Sequence, residues 1–397
     1  MPAPRPTPAP RLDIDLGKVH HNARTLVEAL GARGISVTGV TKAALGSPEI
    51  ARTLLRAGVR ALGDSRVENL EGLRRAGVTA PLVLVRSPMP SQVDRVVRAA
   101  DVSLNTERAV VRALSGAAQA AGREHGIVLM VELGDLREGL LPTELEAAAR
   151  EVLQLPHLVL RGIGTNLACQ SGVVPDPANM GELSALARAV EAACGVTLDV
   201  VSGGNSANLG WALSGADPGR VDDLRLGEAI LLGREPLHRR PLDGLHADAF
   251  TLVAEVIEAK VKPSQPRGER AQAAFGPVPA HPGTGSADGD SGAGRSDGTG
   301  PEGRDGDEVG PRVIVALGHQ DTDPAGLLPP PGVTVLGASS DHLVLDPGRH
   351  TLAVGDEVPF QVGYGALVRA MTSPFVTQVL TGGVEVPPAA TSGARPA

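Results

Sequence analysis

The chain has 397 residues, too many for one small core, and 42% of them are hydrophobic, ample for one large domain and a smaller one. Aromatic residues make up only 2%, so the core is built from Ala, Val and Leu rather than from stacked rings. The net charge of −8, with no long basic run, argues against nucleic acid or an anionic membrane as the main partner.

The opening MPAPRPTPAPR is Pro-rich and lacks an apolar h-region, so residues 1–10 are expected to be a tail rather than a signal peptide. The stretch LDIDLGKVHHNARTLVEAL then predicts a short strand and an amphipathic helix. A repeating rhythm follows, with apolar, strand-like runs near 36–41, 60–62, 82–86, 100–104, 127–133, 158–164, 197–202 and 221–225. Between most of them lie helical patterns: SPEIARTLLRAG, SQVDRVVRAA, TERAVVRALSGAAQAAG, TELEAAAREVLQL and NMGELSALARAVEAA. Several open on Ser, Thr or Asn in N-cap position, and the first and fourth place Glu close behind the cap. Eight strands alternating with helices over roughly 230 residues match an α/β fold, the (β/α)8 TIM-like barrel, with a doubly wound open sheet as the alternative.

Near residue 246 the pattern changes. ADAFTLVAEVIEAKV, PRVIVALG, GVTVLGASSDHLVLD and GDEVPFQVG are β-branched segments with turns, which predicts a smaller C-terminal all-β domain over 246–385 after a barrel over 11–245. Residues 277–310, rich in Gly, Asp, Ser and Pro, predict a disordered surface loop, and residues 386–397 a second tail. The Asp spacing in that loop matches no EF-hand pattern, and no metal site is expected. No apolar run approaches the ~20 residues that a membrane helix needs. The two cysteines, Cys169 and Cys194, make neither a CxxC nor a disulfide framework, which fits a cytoplasmic location. Cys169 reads as a small buried residue rather than a nucleophile.

In a barrel the chemistry sits at the C-terminal strand ends. The first strand ends in Lys42. Of 37 basic residues only Lys18, Lys42, Lys260 and Lys262 are lysines, and Arg would serve equally well as a surface cation. The other ends carry ALGDSRVENL, VRSP, LNTE, VELGDLREGL with Arg137, GIGTNLACQ with Asn166, VVSGGNSANLG and DDLRLGEAILLG. Ser202-Gly203-Gly204-Asn205-Ser206 is a small-residue loop whose N–H groups and Ser206 hydroxyl suit a phosphate, although a plain tight turn has the same composition. A strand-end Lys facing such a loop suggests a carbonyl cofactor carrying a phosphate, and pyridoxal phosphate fits, with the amine bonding the carbonyl and the loop holding the phosphate. By themselves, Lys42 also reads as a solvated strand-end cation, and Arg137 and Arg225 as ion-pair partners of Asp135 and of Asp222 or Asp223. Asp64, Ser65 and Arg66 read as substrate ligands or a helix cap.

These residues resemble the alanine racemase-like family of pyridoxal-phosphate enzymes (fold type III), and within it the amino-acid racemases typified by ornithine racemase. The resemblance runs from about Arg11 to Val376 outside 277–310, and is carried by GDSRVENL, GTNLACQSG, SGGNSANL, LRLGEAILLGRE, LGASSDHLVLD and YGALVRAMTSP. It implies that Lys42 is the Schiff-base lysine, that Arg137 contacts the cofactor's phenolic oxygen and that Arg225 lies beside its pyridine nitrogen. It also implies a phosphate cup of Asn205, Ser206 and the backbone of Gly227 and Glu228, joined by Tyr364, with Ser340 and Asp341 binding the substrate carboxylate through N–H groups. Three positions depart from alanine racemases. LGHQD replaces the Gly-Tyr-Ala-Asp context of their catalytic Tyr, so His319 takes the second-base position. Asn166 replaces a His that contacts the pyridine-side Arg, and Met130 replaces a carbamylated Lys. The implied function is racemisation of ornithine or another basic amino acid, with Lys42 and His319 serving the two faces of Cα, in a homodimer whose second domains complete the partners' barrel mouths. Side-chain ammonium acceptors among Asp321, Asp341 and Glu228 are compatible with that substrate class. The alternatives are an alanine or broad-specificity racemase, a decarboxylase of basic amino acids, disfavoured by Arg225, and a non-catalytic cofactor carrier, disfavoured by the second domain.

Overall fold

A computed structural model describes residues 7–266, 268, 275 and 309–382. The tail over 386–397, most of 1–10 and the loop over 277–310 thus lie outside the described residues. Val309 and Gly310 are the exception within that loop, because they begin a strand. The chain forms two compact units, one built on Asp13–Phe250 and the other on Thr251–Val379.

The first unit is a closed parallel barrel. After strand β1 (Arg11–Asp15), Asp15 accepts the Lys18 N–H and caps α1 (Leu16–Gly31), whose buried Val19, Ala23, Leu26 and Leu30 recur at helical spacing. Eight strands then close on one another: β2 (Ser36–Val40), β3 (Ala61–Asp64), β4 (Leu82–Leu84), β5 (Val102–Asn105), β6 (His125–Val131), β7 (Leu158–Thr165), β8 (Val200–Ser202) and β9 (Asp223–Leu226), with β9 pairing back onto β2. All eight strand regions expected from the sequence are therefore present, and the closed ring excludes the open sheet. Parallel strands covered by helices are buried on both faces, which is why β6 is buried at all seven positions.

The helices between them are α2 (Pro48–Arg56), α3 (Val67–Arg75), α4 (Val93–Ala99), α5 (Arg108–Ala121), α6 (Leu145–Gln154), α7 (Pro177–Cys194), α8 (Leu209–Leu213) and α9 (Glu228–Leu232). Ser47 caps α2 as its sequence position suggests. In α7 the cap is Asp176 rather than Asn179. Asp176 accepts from the Ala178 and Asn179 N–H groups, and Pro177 adds a preset φ at the first helical position, so the helix starts earlier than the apolar periodicity implies. Inside the barrel Leu104, Val128 and Met130 pack together. Met130 is thus a core side chain. A cavity of about 330 Å³ remains, lined by Thr38, Val83, Val200, Ser202, Asp223 and Arg225 among others.

The second unit carries the main antiparallel path of an eight-stranded sheet, β10 (Phe250–Pro263), β11 (Val309–Val315), β12 (Leu327–Leu328), β13 (Thr334–Ala338), β14 (Leu343–Asp346) and β15 (Glu357–Val362), in the order β12-β15-β10-β11-β14-β13, with β1 and β16 (Thr377–Thr381) off that path. The register Leu252↔Phe360 and Val313↔Leu345 lines up its buried residues. The domain is not purely β. Helix α10 (Tyr364–Thr372) buries Ala366, Leu367, Ala370 and Met371, an i, i+1, i+4, i+5 set that the sequence reading took for part of a β domain. Among the described residues no helix is long and apolar enough to cross a membrane.

Candidate active site

The barrel mouth is assembled from strand ends. Thr41 Oγ1, just past β2, donates to Asp64 Oδ2 at 2.8 Å. Asp64 Oδ1 accepts from the Arg66 N–H at 2.9 Å and from Asn69 Nδ2 at 3.0 Å. Burial raises the Asp64 pKa, and the hydrogen bonds from Arg66, Thr41 and Asn69 oppose that shift. The buried Asp64 carboxyl thus ties the end of β2 to the end of β3 and anchors the Lys42 turn. Lys42 opens a single 3-10 turn, Lys42–Ala44, closed by Leu45 in the left-handed region. Lys18 pairs with Asp248, and Lys260 and Lys262 pair with Glu258. Lys42 alone of the four has no ion pair or hydrogen bond among the described residues, and its charge acts on Glu228.

β9 alternates Asp223-Leu224-Arg225-Leu226, so its period of two sends both charged side chains to the barrel interior. Arg225 Nη1 donates to Ser202 Oγ at 2.6 Å and Nη2 to the Thr165 carbonyl at 2.7 Å. Ser202 Oγ in turn donates to Asp223 Oδ2 at 2.7 Å. Burial pulls the Arg225 pKa down, and the Asp223 charge opposes this. Arg137 does pair with Asp135, at 3.5 Å, and its charge also reaches Arg225, whereas Arg225 feels the Asp223 charge but is hydrogen-bonded to it through Ser202.

The loop after β8 rests on β9. Gly203 N–H donates to the Asp223 carbonyl and Arg225 N–H to the Gly204 carbonyl, each at 2.9 Å. Asn205 accepts from the Ala207 N–H and donates to Asn166 Oδ1 at 2.9 Å, and Asn166 donates to Asp135 at 3.2 Å. Asn166 therefore braces the loop and is not bonded to Arg225. Ser206 Oγ accepts the Ala229 N–H at 3.1 Å, which joins this loop to Gly227 and Glu228 at the start of α9 and leaves the hydroxyl proton for a ligand. Ser202 is the exception in the proposed loop, because its hydroxyl is committed to Arg225 and Asp223. The Glu228 carboxylate is held by Arg239, and burial raises its pKa. Cys169 is exposed rather than buried, with Asn205 Nδ2 at 3.3 Å from its sulfur.

Gly204 has φ +142°, and a Cβ there would come within 2.2 Å of Asn208 Oδ1. That oxygen is fixed by the Asn205 N–H at 3.0 Å, and Asn208 Nδ2 by the Gly203 carbonyl at 2.9 Å. Gly204→Ala is therefore expected to destabilise the protein by about 2–4 kcal/mol, combining backbone strain with a clash that cannot relax. Thermal unfolding should show a lower transition temperature, and an unchanged one would contradict the rigidity of this loop.

The second unit gathers a separate cluster. His319 N–H donates to the Ser339 carbonyl at 3.0 Å, Gln320 N–H to the Ser340 carbonyl at 3.0 Å, and Arg369 Nη2 to the His319 carbonyl at 3.0 Å. The His319 ring stacks on Phe275, with centroids 4.2 Å apart. Asp341 accepts from Gln320 Nε2 at 2.9 Å and from Ser340 Oγ at 2.8 Å, so its side chain is already engaged. Burial raises the Asp321 pKa, and its carboxylate accepts the Gly318 N–H at 2.9 Å. Tyr364 is the first residue of α10. The structure thus brings His319, Ser340 and Asp341 together, and separately Lys42, Arg137, Asn166, Ser202–Ser206, Arg225, Gly227 and Glu228. Sequence reasoning missed Thr41 and Phe275, and named Asp223 only as an alternative ion-pair partner of Arg225. Asp223 was legible as an inward position two residues before Arg225, whereas Phe275 lies far from His319 along the chain and gave no signal.

Comparison with known proteins places this arrangement. Residues 14–235 match the family described as alanine racemase, N-terminal domain. The chain is 37% identical to a lysine racemase of Thermotoga maritima over 93% of its length and 98% of that protein's. It is 33% identical to an ornithine racemase of Acetoanaerobium sticklandii over 94% of its length and 99% of that protein's. Among solved structures, an alanine racemase from Streptomyces coelicolor superposes with a TM-score of 0.70 at 20% identity, covering 93% of this chain and 97% of that one. A D-threonine aldolase from Filomicrobium marinum does so with a TM-score of 0.67 at 16% identity, covering 92% and 88%. At those identities the two structures share its fold.

Proposed function

This chain belongs to the alanine racemase N-terminal-domain family, and from that premise we propose that it is a pyridoxal-phosphate-dependent isomerase that interconverts the L and D forms of ornithine or lysine. The observation that carries this reading is Lys42: a primary amine with no ion pair among the described residues, at the C-terminal end of the first barrel strand, in a chain similar over 93–94% of its length to racemases of those two amino acids.

Pyridoxal phosphate fits the residues at the mouth. Lys42 would hold it through the amine, the Gly203–Ser206 loop and the backbone of Gly227 and Glu228 would hold its phosphate, and Arg225 and Arg137 would face the ring. The strain-tolerant Gly204 and the Ser206 link to Ala229 support the phosphate assignment, since barrel phosphate sites are frequently built after strands seven and eight. When bound, the cofactor supplies a carbonyl that joins a primary amine and a conjugated ring that accepts electron density from the substrate Cα.

Lys42 then moves the Cα proton on one face and His319 on the other, its imidazole suiting proton transfer near neutral pH. Arg225, a permanent cation, keeps the neighbouring ring nitrogen unprotonated, because a second positive charge beside it is costly. The Ser340 and Asp341 N–H groups orient the substrate carboxylate. We place His319, Ser340 and Asp341 in trans, in a homodimer, with Tyr364 joining the phosphate cup.

The test is incubation of the purified, cofactor-loaded protein with single enantiomers of ornithine, lysine and alanine in heavy water. The expected result is loss of chirality with one deuterium gained at Cα, faster for ornithine and lysine than for alanine. Release of carbon dioxide without inversion would favour a decarboxylase, and a protein that takes up no cofactor would sink the reading.

A further inference from the structure

Asp223 has no role in the chemistry above, yet its surroundings are specific. Arg225 is 7% exposed and Asp223 4%, and among the described residues no direct ion pair joins them. The contact runs through one hydroxyl. Ser202 Oγ has a single proton, which it gives to Asp223 Oδ2 at 2.7 Å, so its lone pairs are free to accept Arg225 Nη1 at 2.6 Å. Asp223 Oδ1 accepts from Thr38 Oγ1 at 2.9 Å and, more distantly, from Ser36 Oγ at 3.4 Å. Every side chain bonded to the carboxyl is thus a hydroxyl donating to it, a set that an ionised carboxylate satisfies at both oxygens. An amide in its place would aim a donor at Ser202 or at Thr38. If it faced Ser202, the serine proton would be left without its acceptor and Arg225 would share the oxygen with a second donor.

Arg225, Ser202, Asp223 and Thr38 all line the barrel cavity of about 330 Å³. The orientation of the Arg225 guanidinium rests on two bonds, one to Ser202 and one to the Thr165 carbonyl.

We propose that Asp223 is a positioning residue that acts through Ser202 to fix the orientation of Arg225 and the charge it presents to the cofactor ring. This rests on the pyridoxal-phosphate reading above. The experiment titrates pyridoxal phosphate into wild-type protein and into D223N, S202A, S202T and the D223N/S202A double variant, recording affinity and the visible absorption spectrum of the bound cofactor. D223N and S202A should each bind about tenfold more weakly, the effect of one lost hydrogen bond to a charged group, with a shifted absorption band. The double variant should be no worse than either single one, since both cut the same link. S202T keeps the hydroxyl and has the cavity to take its methyl, so it should recover most of what S202A loses. If D223N does not fold, S202A against S202T decides the question, because both keep the buried carboxyl. Wild-type affinity and spectrum in D223N or S202A, or additive losses in the double variant, would overturn this inference alone. A wild-type protein that binds no pyridoxal phosphate would remove the functional reading and this inference with it.

Discussion

Lys42→Ala should lower racemisation by a factor of about 10³ or more and abolish the absorption band of lysine-bound cofactor, because the same amine both holds the cofactor and moves a proton. The structure gives Lys42 the freedom this requires. Its three fellow lysines are neutralised by Asp248 and Glu258, whereas Lys42 has no ion pair or hydrogen bond among the described residues. Its backbone is nonetheless fixed, since the Thr41–Asp64 bond pins the residue before it and Leu45 closes the turn after it. Lys42→Arg separates charge from chemistry. A guanidinium keeps the positive charge but cannot form the covalent link, so this variant should be as inactive as the alanine one. Retention of activity and colour in Lys42→Arg would show that only a cation is needed there, and would end the assignment.

His319→Ala should reduce turnover in both directions by about 10²–10⁴, the usual contribution of a positioned acid–base group, while leaving cofactor affinity near the wild-type value. A more selective signature accompanies it. With Lys42 still serving its face, one enantiomer should exchange its Cα hydrogen for deuterium without inverting, and the other should exchange far more slowly. The backbone geometry favours such a role, because His319 is held at both its N–H and its carbonyl while its ring rests on Phe275. The imidazole is thereby oriented by partners that do not depend on its own proton. Equal rates of inversion in both directions for His319→Ala would remove it as a base and turn attention to other groups of the same cluster.

The two variants also distinguish failures. Loss of colour belongs to Lys42, and loss of inversion with colour retained belongs to His319. Gly204→Ala differs from both, since its clash with Asn208 acts on stability before it acts on any ligand.

Much of the barrel is legible in the sequence, because its signals are local. Apolar runs bounded by turn residues mark each strand, and the three- to four-residue spacing of Val, Leu and Ala marks each helix. Strand-end position then singled out Lys42 and the Ser202–Ser206 loop, since a parallel barrel delivers all its C-terminal ends to one rim, whereas Arg225 was marked by the family resemblance. The same logic missed α10, where YGALVRAMT reads equally as a β segment or a helix until packing chooses the face formed by Ala366, Leu367, Ala370 and Met371.

By itself, then, the sequence determined the alternation of strands and helices, the antiparallel sheet that follows, and a lysine chosen where an arginine would have served as a surface charge. What only the tertiary structure decided is which polar groups hold one another. Arg225 reaches the Thr165 carbonyl across 60 residues and Ser202 across 23, Asn205 reaches Asn166 across 39, and Thr41 reaches Asp64 across 23. The physical reason is one of range. Periodicity is a property of neighbouring residues, whereas a hydrogen bond forms only after barrel closure brings distant strand ends within about 3 Å of one another. Ser202 shows the difference: nothing in its small-residue loop told that the closed barrel would commit its single proton to Asp223.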